Sequence, residues 1–120
     1  MLLSSSTSLE AGTSPRLYLE CEGGQQETLC SALLAALDVR FPEHSLTTQV
    51  DDDERADLAV RYVAKHQAKD WLSGQLIWLS ADGRTGDGPI IEYSVMDRQL
   101  NSDDMTPFAL QLVRATEFPQ

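Results

Sequence analysis

Between Asp57 and Leu100 the chain carries three apolar runs separated by turn-forming residues, with the lengths and spacing of three successive strands. In the first, Leu58-Ala59-Val60-Arg61-Tyr62-Val63, residues Leu58, Val60 and Tyr62 share one face, and Asp57, Ala59 and Arg61 share the other. The second, Leu72-Ser73-Gly74-Gln75-Leu76-Ile77-Trp78-Leu79, is apolar on both sides: Leu72, Leu76 and Trp78 on one, Trp71, Ile77 and Leu79 on the other. Apolarity on both sides predicts a central strand, or one whose second face is covered. The third run, Ile90 to Met96, sets Ile91, Tyr93 and Val95 against Glu92 and Ser94. Ser80 to Pro89, dense in Gly, Asp and Pro, predicts a long hairpin connection between the second and third runs.

The flanking segments read as cover for this meander. Leu17 to Glu22 alternates with period two, placing Leu17, Leu19 and Cys21 on one side and Tyr18, Glu20 and Glu22 on the other, until Gly23-Gly24 breaks the strand. Gln25 to Val39 predicts a helix, with Leu29, Ala32, Leu33, Ala36 and Leu37 forming an apolar stripe. Phe41-Pro42 ends that region, and Ser45 to Val50 has the β-favouring residues of an edge strand. A last helix is expected from Pro107 to Thr116, with Thr106 as N-cap and Pro107 as its first residue. Its apolar side is made of Met105, Phe108, Ala109 and Leu112, widened by Leu110 and Val113. The order β-α-β-β-β-α predicts an α+β, two-layer sandwich: a mostly antiparallel sheet of four or five strands with two helices on one face. Residues 1–15, rich in Ser, Thr and Gly, are expected to be a disordered leader, with residues 16–120 forming a single α+β domain. The leader lacks the basic and long apolar segments of a signal peptide. No run reaches the ~18 apolar residues of a membrane span.

Charge narrows the range of partners. The chain has 120 residues, 42% hydrophobic and 23% charged, as expected of a soluble globular domain. Its net charge is -10, from 19 acidic and 9 basic residues. Such a surface repels nucleic acid and anionic lipid, and leaves a basic protein patch acceptable. The acids Asp51-Asp52-Asp53-Glu54 are consecutive and lack the glycine of a calcium loop, so a solvated connection is expected and no metal. Cys21 and Cys30 have neither redox-motif nor zinc-site spacing. Cys21 lies on the inner strand face and Cys30 at the margin of the helix stripe, so the two can meet across one layer. They form a disulfide in an oxidising compartment and remain buried thiols in the cytosol. A periplasmic or secreted location is favoured over a cytoplasmic one.

Reactive motifs are sparse. His44 and His66 have no catalytic sequence context, and Gly-x-Ser-x-Gly is absent. The hairpin lacks the Lys-Ser/Thr pair of a phosphate loop, and there is no nicotinamide, flavin or haem fingerprint. No catalytic residue and no cofactor are therefore expected, and an enzyme is disfavoured. The alternative is a small hydrolase or ligand-binding protein with a carboxylate-lined pocket near Glu92 and Asp97. The favoured reading starts from the aromatic and apolar excess on the sheet. Tyr18, Trp71, Ile77 and Trp78 supply an interaction surface for a protein partner or self-association. The element order, with Ala56-Asp57-Leu58 opening one strand and Gly74-x-Leu76-x-Trp78 in the next, resembles small domains of bacterial envelope proteins. Examples are the N-terminal domain of the translocation protein TolB and the lipoproteins that activate peptidoglycan synthases. The resemblance covers Arg16 to Thr116 at the level of architecture and brings no site residues with it.

Overall fold

The computed structural model describes residues 15–21, 27–48 and 56–119. The expected leader falls outside them except for Pro15, as do the Gly23-Gly24 break and the acidic run from Asp51 to Glu54. Strand β1 (Arg16–Cys21) is followed by helix α1 (Glu27–Arg40) and the short strand β2 (Ser45–Thr47). The meander then comprises β3 (Leu58–Gln67), β4 (Trp71–Ser80), β5 (Thr85–Asp87) and β6 (Ile91–Ser94). A 3-10 turn, Ser102–Asp104, leads into helix α2 (Met105–Ala115).

The strands form one six-stranded sheet in the order β2-β1-β3-β4-β5, with β6 also pairing β4. Because β3 occupies one edge of β4, the other edge takes β5 at Ile77–Leu79 and β6 at Trp71–Gly74. This sheet is mixed, which corrects the expectation of a mostly antiparallel one of four or five strands. β1 runs parallel to both β2 and β3, whereas β3–β4, β4–β5 and β4–β6 are antiparallel. A helix after β1 returns the chain to the end where β1 began, so β2 runs alongside β1 in the same direction. The chain then enters β3 from that end again. The two additional short strands change the element order as well. Thr85-Gly86-Asp87 has no apolar alternation and joins the sheet by backbone pairing with β4.

Register explains the core. Leu17 pairs with Leu58 and Leu19 with Val60, while Val60 faces Trp78 and Tyr62 faces Leu76 across β3–β4. All of these side chains, with Leu72, lie on one face and are buried. Leu29, Leu33, Ala36 and Leu37 of α1 and Phe108, Ala109, Leu112 and Val113 of α2 complete the same cluster. The two helices also pack against each other. Tyr62 meets Phe108 edge-on at 6.2 Å between ring centroids. Two glycines make room for large rings over the sheet. A Cβ at Gly74 would come within 2.5 Å of the Tyr62 ring, and one at Gly86 within 2.6 Å of the Trp78 indole.

Candidate functional site

Side chains alternate across a pleated sheet, so every residue that feeds the core has neighbours pointing the other way. The pairings arrange those neighbours in rows. Tyr18, Ala59, Leu79 and Thr85 form one, and Glu20, Arg61, Ile77 and Asp87 the next. Val63 and Gln75 follow, then His66, Ser73 and Glu92 beyond a bulge between Ala64 and His66, and last Trp71 with Ser94. Tyr18, Ala59, Val63, Trp71 and Ile77 are half-buried, and Leu79 is 50% exposed. The result is a group of neighbouring apolar positions around Leu79 and Ile77, interrupted by Arg61 and Gln75, opposite the face on which both helices pack. At the far end Trp71 stacks on His66, with ring centroids 3.9 Å apart and planes at 16°.

Of the four residues expected to form an interaction surface, the structure brings Tyr18, Trp71 and Ile77 to this face. Trp78 is adjacent to Ile77 in sequence and therefore points the opposite way. It is 8% exposed, and its indole N–H donates to the Glu117 carbonyl at 2.8 Å. Ala59, Val63 and Leu79 complete the group; the alternation of the two central runs is the signal that marks them.

Neither Glu92 nor Asp97 lines either of the clefts given below. Glu92 projects from the open face opposite Ser73, and Asp97 lies past β6 in a left-handed backbone conformation, φ 63°. Both are exposed. The carboxylate that the fold does embed is Asp104, 4% exposed at the start of α2. Arg98 grips it with two hydrogen bonds of 2.8 Å. The Asn101 backbone N–H donates to it at 2.8 Å and the Tyr93 hydroxyl at 3.2 Å. The Arg98 hydrogen bonds, more than any other contact, hold its pKa far below the ordinary aspartate value. With its oxygens engaged in this way, Asp104 ties the loop after β6 to the helix.

Cys21 and Cys30 are joined as a disulfide, with Cα atoms 6.0 Å apart, linking the end of β1 to the first turns of α1. An open cleft of about 930 Å³ lies between the last turns of the helices and the tail, with Val39, Leu110, Val113 and Phe118 on its walls. A smaller one of about 360 Å³ is flanked by His44, Asp57, Ser80 and Asp82. In it the Ser80 hydroxyl donates to Asp82, which also pairs with Arg84 at 3.0 Å, bracing the turn between β4 and β5. Among the described residues, no group of three or more His, Cys, Asp or Glu is placed to hold a metal ion. Among the same residues, no helix is long and apolar enough to cross a membrane.

No protein-family model matches the chain, and no curated protein matches it. Among solved structures, the PelC dodecamer from Paraburkholderia phytofirmans is similar, with a TM-score of 0.61 over 83% of each chain at 7% identity. A minor lipoprotein from Acinetobacter baumannii matches over 89% of this chain and 98% of its own, at 15% identity and a TM-score of 0.40. At 7% identity, the similarity to PelC is one of fold.

Proposed function

We propose that this chain is a non-catalytic interaction module of an oxidising compartment, such as the bacterial cell envelope, and that it docks a protein partner or a second copy on the open face of its sheet. One observation carries the reading: Tyr18, Ala59, Ile77 and Leu79 occupy neighbouring register positions, with Val63 beyond Arg61, on the face that neither helix covers. Removing such side chains from water favours association, and aromatic anchors concentrate the energy of doing so. The face is a better platform than either edge. The edge strands β2, β5 and β6 have only 3, 3 and 4 residues, too few to template a long added strand. The Cys21–Cys30 disulfide favours an oxidising location. That PelC, of similar fold, is a dodecamer supports the self-association branch. The carboxylate-pocket alternative has less support, because Glu92 and Asp97 are both exposed, one on a strand face and the other in a loop.

The test is sedimentation velocity over a concentration series, together with pull-down from the native host, for Ile77→Ser, Leu79→Ser, Trp71→Ala and Trp78→Ala. The first three should weaken self-association or partner capture while leaving the urea midpoint near that of the parent. Trp78→Ala should instead lower stability by about 3–5 kcal/mol, as truncation of a buried tryptophan does. Open-face variants indistinguishable from the parent in both assays would remove the proposed site.

A further inference from the structure

The open face carries exposed carboxylates beside its apolar centre. In the row through Ile77, Glu20 stands at one end and Asp87 at the other, and Glu92 lies further along the same edge as Asp87. All three are exposed, and none makes an ion pair among the described residues. The arginines on this face, Arg16 and Arg61, already have partners within the chain. Lys65 and Lys69 lie at the hairpin end, next to the His66–Trp71 stack and away from Leu79. The molecule as a whole, these carboxylates included, has a net charge of -10. Two identical copies approaching through this face therefore repel at long range, whereas a cationic surface is attracted.

Building on the function proposed above, we infer that the occupant of the open face is a basic protein surface. Its apolar side chains cover Tyr18, Ile77 and Leu79, and its Lys or Arg side chains stand against Glu20, Asp87 and Glu92. Electrostatic complementarity of this kind sets partner choice and association rate, while the apolar centre supplies most of the affinity.

A peptide of alternating lysine and valine serves as the probe, with an alternating glutamate and valine peptide as its counterpart, each titrated into the whole protein by NMR. The lysine peptide should shift the amide signals of Tyr18, Ile77 and Leu79 saturably. Its affinity should fall about tenfold between ionic strengths of about 0.01 M and about 0.15 M. Asp87→Asn combined with Glu92→Gln should weaken it about threefold, the scale of two exposed charge pairs. If the face signals shift equally with the glutamate peptide, or the double variant and salt change nothing, the basic partner is excluded and the docking face stands. If the shifts avoid Tyr18, Ile77 and Leu79, or Ile77→Ser leaves binding unchanged, the basic partner and the docking face both fall.

Discussion

Tyr62 carries the least comfortable polar group in the core. The side chain is fully buried, and its hydroxyl has no hydrogen-bond partner in the described structure. Burial pushes its pKa up to about 12 from the ordinary 10.0, because an exposed phenolate is solvated and a buried one is not. The folded state therefore holds the proton more tightly than the unfolded chain does. Stability is unaffected below the unfolded value and declines as pH rises from about 10 towards about 12. Tyr62→Phe removes the unsatisfied group and keeps the ring that packs on Phe108 and over Gly74. Urea denaturation should show the variant about 1 kcal/mol more stable at neutral pH, with part of the parent's alkaline loss abolished. A substantial loss of stability on this substitution would mean that the hydroxyl has a partner after all.

At the scale of elements, the start of α2 shows how a polar contact moves a boundary. Thr106 and Pro107 alone suggest a helix beginning at Pro107, yet α2 begins at Met105 behind the 3-10 turn. That turn is held by a reciprocal cap: the Asn101 side chain accepts from the Asp103 N–H, and Asp104 accepts from the Asn101 N–H, so the helix continues directly from it. Pro107 fits as the third helical residue because the first four helical N–H groups lack intrahelical acceptors anyway. Arg98 closes the arrangement from the preceding loop. Since Asp104 has a lowered pKa in the fold, the unfolded chain takes up the proton first as the solution is acidified. The stability contributed by this contact is complete above the ordinary value of 3.8 and is lost as pH falls below it. Asp104→Asn should melt at a lower temperature than the parent at neutral pH, and the gap should narrow at about pH 2. A gap that stays constant with pH would show that the charge of Asp104 contributes nothing.

For the molecule as a whole, the decisive feature is that one sheet has its two faces in different surroundings. Both helices add their apolar sides to the core face, and the disulfide fastens α1 to the end of β1. Cross-linking residues 9 apart in sequence restricts the unfolded chain. Cys21→Ser with Cys30→Ser should therefore reduce stability by about 2–3 kcal/mol in urea. The open face should be unaffected, so peptide binding to Tyr18, Ile77 and Leu79 should survive in that variant under conditions where it remains folded. Loss of binding without unfolding would show that the anchored helix shapes the face.

What the sequence determined by itself was local parity: which side chains share a side. Alternation groups Leu58, Val60 and Tyr62, separates Trp71 and Ile77 from Trp78, and sets an apolar stripe on each helix, because a pleat repeats every two residues and a helix turn about every 3.6. That much of the candidate site was legible, including Tyr18 and Ile77. The tertiary structure alone decided that β1 lies between β2 and β3 in parallel, that Thr85–Asp87 joins the sheet, and that Arg98 embraces Asp104. It also decided which side of the sheet the helices cover, leaving Leu79 in solvent and Trp78 in the core. The physical reason is that strand pairing uses backbone N–H and C=O groups common to nearly every residue type, so the partner strand leaves little imprint on side-chain order. Which face is covered depends on where distant segments return, and no local period contains that information.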